Sequence, residues 1–167
     1  QTDLLAAAGA TGRPVNIKKG QFMAPEAMAG ALAKVRGAGG GGVLLCERGV
    51  SFGYGDLVVD FRSFPILAGL GCPVVFDGTH SLQRPPSGAA AEGSGGRREF
   101  AQILWRAAAA AGIHALFFEC HPDPARALSD GDTQIPLDRV EAMLRAAKAI
   151  HEISSSLPLD GGGEGRG

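Results

Sequence analysis

Four short apolar runs, each followed by a stretch with helical periodicity, constrain the fold of this chain more than any other feature. Short apolar runs separated by amphipathic helices are typical of buried parallel strands joined by crossover helices. The pattern predicts an α/β fold with two possible architectures, an open doubly wound sheet or part of a (β/α)8 TIM barrel. The predicted strands lie near residues 14–18, 43–47, 73–77 and 115–119.

The helical stretches alternate with these strands and complete a pattern of four βα units. A (β/α)8 barrel needs eight such units and ~250 residues, so under the barrel interpretation this chain is the C-terminal half. We expect residues 1–153 to form that half-barrel and residues 154–167 to be a disordered tail, because residues 160–167 carry no apolar side chains. The predicted helices cover approximately residues 3–10, 25–36, a less regular segment at 60–70, 100–111 and 140–150.

The composition favours a soluble globular protein that binds neither nucleic acid nor membranes. The 16 basic residues balance 17 acidic ones, which leaves no basic field to attract phosphate backbones or anionic lipids. No apolar stretch approaches the ~20 residues that span a bilayer, and the N-terminus lacks a signal-peptide pattern. The cysteines are odd in number and form no Cys-x-x-Cys pair, which indicates reduced thiols and a cytoplasmic protein.

Charged or imidazole side chains follow every predicted strand at its C-terminal end. Because parallel strands end at one edge of the sheet, and α/β enzymes place their chemistry there, we expect these side chains to lie close together. Any one of them alone is more often a solvated loop residue, but their coincidence at all four strands favours a functional site. They are Lys18 and Lys19, Glu47 and Arg48, Asp77 and His80, and Glu119 and His121. The last of these fits a ligand and a strand-end cap equally well.

His80, Glu119 and Asp130 predict a site for a divalent metal or for acid–base chemistry, because an imidazole and two carboxylates suit both tasks. Asp130 joins this set from the loop LSDGDTQ (128–134) after the fourth strand. Lys18 and Arg48 would supply positive charge for a phosphorylated or carboxylated substrate, the lysine as a point charge and the arginine as a bidentate fork.

Residues 84–98 form a connection longer than most βα loops, which predicts either a lid or a disordered segment. The connection ends in GGRR (95–98). These residues could present backbone N–H groups to an anion at a helix N-terminus, but their spacing alone favours a flexible glycine hinge followed by a solvated arginine pair.

Eight motifs carry a resemblance to a known family, and together they cover the chain from residue 1 to about 153. They are QTDL (1–4), NIKKGQF (16–22), CERG (46–49), FGYGDLVVDFRS (52–63), DGTHSLQ (77–83), GGRR (95–98), ECHPDP (119–124) and LSDG (128–131). At these motifs the chain resembles the 3-deoxy-D-manno-octulosonate 8-phosphate synthase family, and the match is highly specific.

The resemblance implies a fold, a reaction and residue roles. Members of that family are (β/α)8 barrels, usually homotetramers, that condense phosphoenolpyruvate with arabinose 5-phosphate to make the precursor of a lipopolysaccharide sugar. They release phosphate by C–O cleavage. The resemblance implies that Lys18 and Arg48 bind phosphoenolpyruvate and that Gln83 is a substrate-side residue. It also implies that His80, Glu119 and Asp130 form the metal site and, together with Lys18, the catalytic set.

The same resemblance implies a metal cofactor. The family divides into members that need a divalent metal and members that do not. LSDGDTQ (128–134) resembles the metal-dependent branch, and DFRS (60–63) favours the same branch. The expected cation is Zn²⁺, Fe²⁺ or Mn²⁺, with a cysteine in the other half of the barrel as a fourth ligand.

Two alternative functions stay open. The related synthase that joins phosphoenolpyruvate to erythrose 4-phosphate in aromatic amino-acid biosynthesis shares CERG and GGRR. However, FGYGDLVVD (52–60) and the long insertion between His80 and Gly95 favour the octulosonate enzyme. The second alternative is a non-catalytic half-barrel, and this chain alone is expected to have little or no synthase activity.

Overall fold

In its described residues the fold combines eight strands with five α-helices and four short 3-10 helices, as seen in a computed structural model that describes residues 1–51, 54–85 and 95–157. In the described part of the chain, the helices are α1 (Thr2–Ala10), α2 (Met28–Gly37), α3 (Ser63–Ala68), α4 (Ala101–Ala110) and α5 (Leu137–Ser156). The strands are β1 (Val15–Lys18), β2 (Val43–Glu47), β3 (Val74–Asp77), β4 (Gln83–Arg84), β5 (Gly95–Gly96), β6 (Ala115–Phe117), β7 (Cys120–His121) and β8 (Ile135–Pro136).

The central sheet contains four parallel strands in the order β1-β2-β3-β6. Each strand pairs in parallel with the next, for example through Val15 with Val43 and through Val75 with Ala115. The prediction of four parallel strands is therefore confirmed. The last of them ends at Phe117 instead of residue 119, so Glu119 projects from the connection beyond the strand.

The hydrophobic core lies between this sheet and the helices. Val35, Leu45 and Phe76 have no exposed surface, and Trp105 is almost as deeply buried. The predicted apolar face of α2 is confirmed, since Met28, Leu32 and Val35 are its buried residues. Full burial of a large apolar side chain contributes about 1.5–3 kcal/mol, so these residues fix the relative positions of the strands.

Trp105 on α4 holds the connection that follows β3. Its indole Nε1 donates a hydrogen bond of 3.1 Å to the carbonyl oxygen of Gly78. A Cβ atom added at Gly78 would lie 2.2 Å from that indole nitrogen, so only glycine allows this approach. The contact fixes the backbone two residues before His80.

Two short ladders hold the connections that follow β3 and β6. Strands β4 and β5 pair in antiparallel fashion, and β7 pairs in parallel with β8. The β7–β8 ladder closes the loop that carries Asp130. Residues 86–94, in the middle of the predicted lid or disordered loop, lie outside the described residues.

The prediction of a flexible hinge at residues 95–98 is wrong. Both glycines belong to β5, and a Cβ atom added at Gly96 would lie 2.3 Å from the side chain of Thr133. Arg97 forms an ion pair with Asp56, and Arg98 donates a hydrogen bond to the carbonyl oxygen of Gly131. These tertiary partners come from distant parts of the chain, so local glycine content gave a misleading indication of mobility.

The C-terminal helix extends further than the sequence predicted. Helix α5 continues to Ser156, so residues 154–156 are helical and not part of a disordered tail. The hydroxyl of Ser156 donates a hydrogen bond of 2.7 Å to the carbonyl oxygen of Ile153, which supports the last turn. Residues 158–167 lie outside the described residues. None of the helices described is both long and apolar enough to cross a membrane.

Candidate active site

The charged side chains that follow the four central strands meet at one edge of the sheet, as predicted. The Lys18 ammonium nitrogen lies 2.7 Å from a carboxylate oxygen of Asp77, although the two residues are 59 positions apart. The His80 Nε2 atom lies 3.4 Å from Oε1 of Glu119. Parallel register produces this convergence, because strands that run side by side end together.

Asp77 is the buried centre of the site. Its Oδ2 accepts hydrogen bonds from Lys18 Nζ at 2.7 Å and from His80 Nδ1 at 2.9 Å. Its Oδ1 accepts hydrogen bonds from the backbone N–H groups of Thr79 and His80, at 3.1 and 2.8 Å. Burial is the largest single influence and by itself would raise the pKa of Asp77. The hydrogen bonds from His80 and Lys18 outweigh burial and lower that pKa to about 2. Asp77 is therefore a carboxylate at neutral pH.

The contact with Asp77 orients the His80 ring. The Asp77 carboxylate is closer to His80 Nδ1 than the Lys18 ammonium is, at 2.9 against 3.4 Å. Since a carboxylate only accepts, we assign the proton to Nδ1, which leaves the Nε2 lone pair directed away from Asp77. A carboxylate behind a histidine in this way is the usual partner of a metal-binding imidazole.

Phe117 supports both the lysine and the histidine. The His80 ring stacks on the Phe117 ring, with centroids 6.0 Å apart and planes inclined by 28°. The Lys18 ammonium lies 3.9 Å from the centroid of the same ring, within the range of a cation–π contact. Phe117 therefore restricts the positions of two candidate site residues from one side.

His80, Glu119 and Asp130 form a group that could hold a divalent cation. Each residue offers one ligand atom, and these atoms all lie within 4.8 Å of one another. One imidazole nitrogen and two carboxylate oxygens suit Zn²⁺, Fe²⁺ or Mn²⁺. All three residues are partly buried, and Thr79 Oγ1 accepts a hydrogen bond of 2.7 Å from the backbone N–H of Glu119, which fixes that residue.

Gln83 connects the cationic side of the site to Asp130. Its Oε1 accepts a hydrogen bond of 2.8 Å from Arg48 Nη2, and its Nε2 donates one of 2.7 Å to Asp130 Oδ1. Asp130 itself has a left-handed backbone, with φ of 53°. Such a conformation costs energy in a residue other than glycine and is typical of functional loops.

Arg48 keeps hydrogen-bonding capacity for a ligand. Its Nε atom is buried and has no hydrogen-bond partner among the described residues. A buried donor without a partner is costly, and an anion bound beside Arg48 would satisfy it. A cavity of about 410 Å³ adjoins Glu119 and is bordered by His121, Ser129 and Gln134 among others.

Sequence reasoning missed or left open several features of this site. Asp77 was recognised only as a strand-terminal charge, and Thr79 was not recognised at all. The spacing of the acidic residue three positions before His80 could have indicated the contact with Asp77. His121 was left open, and its Nδ1 accepts a hydrogen bond of 3.0 Å from the backbone N–H of Asp123, as expected of a strand-end cap.

Comparison with known proteins places almost all of the chain within one family. The model of the DAHP synthetase I family matches residues 1–156. The 2-dehydro-3-deoxyphosphooctonate aldolase of Syntrophotalea carbinolica is 56% identical over 153 residues, which cover 92% of this chain and 54% of that protein. The proteins of the same name from Granulibacter bethesdensis and from Azoarcus sp. strain BH72 are 57% and 53% identical. They cover 89% and 95% of this chain.

The chain spans about half the length of the curated relatives that it matches. The matched share is 52% of the Granulibacter protein and 57% of the Azoarcus protein. The family resemblance drawn from the motifs is confirmed by these comparisons.

Proposed function

Because this chain belongs to the DAHP synthetase I family, we propose that the complete protein condenses phosphoenolpyruvate with D-arabinose 5-phosphate and water. The products are 3-deoxy-D-manno-octulosonate 8-phosphate and phosphate, a step in the biosynthesis of a lipopolysaccharide sugar. A bond forms between C3 of phosphoenolpyruvate and the aldehyde carbon of the sugar. Water adds at C2, and the C2–O bond to phosphate breaks.

The main support for this proposal is that two kinds of group meet at one edge of the sheet. His80, Glu119 and Asp130 lie within 4.8 Å of one another by their ligand atoms, and Gln83 links Asp130 to Arg48. A cation site beside an anion site is what a reaction between an anionic enol phosphate and an aldehyde requires.

We assign phosphoenolpyruvate binding to Lys18 and Arg48. The Lys18 ammonium has donors beyond the one used by Asp77, and its side chain is 34% exposed. Arg48 has a buried Nε without a partner in the described part of the chain. The Arg48 guanidinium and the Lys18 ammonium lie at the ends of neighbouring strands. Together they would offset the negative charge of the carboxylate and the phosphate of phosphoenolpyruvate.

We assign cation binding to His80, Glu119 and Asp130. A bound Zn²⁺, Fe²⁺ or Mn²⁺ would polarise the aldehyde or lower the pKa of a water molecule. Asp77 holds His80 with Nε2 available, and Gln83 holds the Asp130 carboxylate from the other side. These supporting contacts are those expected around metal ligands.

We propose that the complete protein is a (β/α)8 barrel of which this chain forms the C-terminal half, and that it assembles as a homotetramer. The order of the central strands follows the order of the chain, as in a barrel, whereas a doubly wound sheet reverses direction at a switch point. The share of each relative that is matched, 54% in the Syntrophotalea protein, also supports a half-barrel. Light scattering of the complete protein would test the tetramer.

The experiment that tests the reaction is a substrate comparison on the complete protein. Phosphoenolpyruvate is supplied with either arabinose 5-phosphate or erythrose 4-phosphate, and released phosphate and the sugar-acid product are quantified. We expect turnover with arabinose 5-phosphate and its loss in Asp130→Ala. Turnover with erythrose 4-phosphate alone would assign the aromatic-pathway reaction instead. A matched control is Asp138→Ala on α5, which removes the same group outside the site.

A further inference from the structure

Lys19 and Glu47 form an ion pair that is withdrawn from solvent. Both side chains are 1% exposed, and Lys19 Nζ lies 3.4 Å from Glu47 Oε2. Lysine and glutamate are rarely buried to this extent unless they are paired. Among the described residues, no hydrogen bond or ion pair joins either side chain to His80, Glu119 or Asp130, so the site described above gives no reason for burying two charges here.

The pair adjoins in sequence the two residues assigned to phosphoenolpyruvate. Lys19 follows Lys18 at the end of β1, and Glu47 precedes Arg48 at the end of β2. The backbone N–H of Lys19 donates a hydrogen bond of 2.8 Å to the carbonyl oxygen of Cys46, which extends the β1–β2 ladder to this point. At the end of each strand, one charged residue therefore belongs to the candidate site and its neighbour to the ion pair.

Each partner also holds the backbone of a strand-end connection. Lys19 Nζ donates a hydrogen bond of 3.2 Å to the carbonyl oxygen of Met23. Glu47 Oε1 accepts one of 2.6 Å from the backbone N–H of Gly49. Arg48 lies between Glu47 and Gly49 in sequence. The hydrogen bond from the Gly49 N–H to the Glu47 carboxylate therefore bridges the backbone on either side of Arg48. Gly49 has φ of 88°, a conformation that favours glycine and gives this connection its tight turn.

Stability alone is a poor explanation for such a pair. The cost of removing two charges from water often equals or exceeds their mutual attraction, and replacing both with apolar groups is frequently neutral or stabilising. Removing one partner is harmful because it leaves the other charge buried and uncompensated. The arrangement therefore fits a role in fixing geometry better than a role in holding the fold together.

We infer that Lys19 and Glu47 are positioning residues that set the placement of Arg48, and with it the phosphoenolpyruvate anion site between β1 and β2. This inference rests on the proposed function. Arg48 binds the substrate anion before and during the reaction, so its displacement weakens ground-state and transition-state binding alike. Such a change raises KM for phosphoenolpyruvate and leaves kcat nearly unchanged.

The test uses double variants of the complete protein, which avoid the unpaired charge that single variants create. Lys19→Met/Glu47→Leu removes both charges and the acceptor for Gly49, whereas Lys19→Met/Glu47→Gln removes the charges but keeps an acceptor oxygen. Thermal unfolding and steady-state kinetics are measured for each. We expect the leucine double variant to melt near the wild type and to show KM for phosphoenolpyruvate raised about tenfold, below the ~100-fold that a 1 Å misplacement can cost. The KM for arabinose 5-phosphate should change little.

The glutamine double variant should recover much of the lost affinity, because its side-chain oxygen can still accept from Gly49. A matched control is Lys148→Met/Glu152→Leu, which removes an exposed pair on α5 whose charged atoms are 3.8 Å apart. This control should leave both KM values unchanged.

Each other outcome rejects the inference. A leucine double variant with wild-type melting and wild-type KM for phosphoenolpyruvate would assign the pair no positioning role. Loss of the folded state in both double variants would assign the pair to the fold. A wild-type protein that does not use phosphoenolpyruvate would overturn the proposed function and this inference together. Turnover by the wild type, with the same KM for phosphoenolpyruvate in the double variants, would overturn this inference alone.

Discussion

The Gln83 amide and the Asp130 carboxylate are joined by a hydrogen bond of 2.7 Å across 47 positions of sequence. The donor nitrogen belongs to the residue that also accepts from Arg48. One side chain therefore relates the position of a proposed metal ligand to that of a proposed substrate-binding arginine. Residues that hydrogen-bond to metal ligands commonly affect the affinity for the metal.

Gln83→Leu should weaken metal binding and substrate binding together. Leucine keeps the approximate size but neither holds Asp130 nor accepts from Arg48. We expect the affinity for Zn²⁺ to fall about 10–100-fold and KM for phosphoenolpyruvate to rise. Competition with a chromogenic chelator measures the first quantity in the complete protein. Gln102→Leu, at an exposed position of α4, is the matched control, and unchanged zinc affinity in Gln83→Leu would contradict the proposed coupling.

Asp77→Asn should change how stability depends on pH in the metal-free protein. The pKa of Asp77 falls from 3.8 to about 2 on folding, so its stabilising contribution is present above pH ~4 and is lost as the pH falls through about 2. The difference corresponds to about 2 kcal/mol. We expect Asp77→Asn to be less stable at pH 6 and the gap to narrow as pH falls from 4 to 2. Denaturant unfolding measures this gap, and a constant gap would contradict the prediction.

Gly78→Ala should destabilise the protein and disturb the connection that carries His80. A Cβ atom at this position would lie 2.2 Å from Trp105 Nε1, and relieving such a clash in a packed core costs about 1–3 kcal/mol. The matched control is Gly30→Ala in α2, where an added Cβ meets no atom within 4 Å. That change should stabilise the helix by about 0.5–1 kcal/mol. Equal effects of the two substitutions on the free energy of unfolding would show that the contact with Trp105 does not restrict residue 78 to glycine.

Removal of metal should abolish the activity of the complete protein. Treatment with a chelator followed by dialysis is expected to eliminate turnover, and Zn²⁺, Fe²⁺ or Mn²⁺ should restore it. The reason is that the proposed cation polarises the aldehyde or lowers the pKa of a water molecule. Elemental analysis before and after treatment identifies the cation. Full turnover by protein without bound metal would instead place the enzyme in the metal-independent branch and leave His80, Glu119 and Asp130 to hold water.

Residues 1–167 alone should have little or no synthase activity. Under the barrel proposal, strands β1 and β6 would each pair with a further strand, and exposed strand edges favour association. Addition of a separately produced N-terminal half should restore turnover with arabinose 5-phosphate. Full turnover by purified residues 1–167 without that addition would reject the half-barrel proposal.

The central sheet was predictable because buried parallel strands appear as continuous apolar runs, as in VVF before Asp77. The positions of Lys18 and His80 followed from the rule that parallel strands end at one edge. The contact of Asp77 with Lys18 did not follow, because it joins residues 59 positions apart at the ends of β1 and β3 and has no signal in local sequence. Lys19 was equally unpredictable, since a lysine in a strand-end connection is usually solvated.

The site also contains its own spectroscopic reporter. Trp105 is the single tryptophan of the chain. It donates to Gly78 O, and its ring lies 4.9 Å from that of Phe118, the residue before Glu119. We expect its fluorescence emission to respond to changes in the two connections that carry the histidine and glutamate of the proposed metal group. Titrations of residues 1–167 with a cation or with phosphoenolpyruvate should then be measurable by emission alone, without an attached dye or a coupled assay.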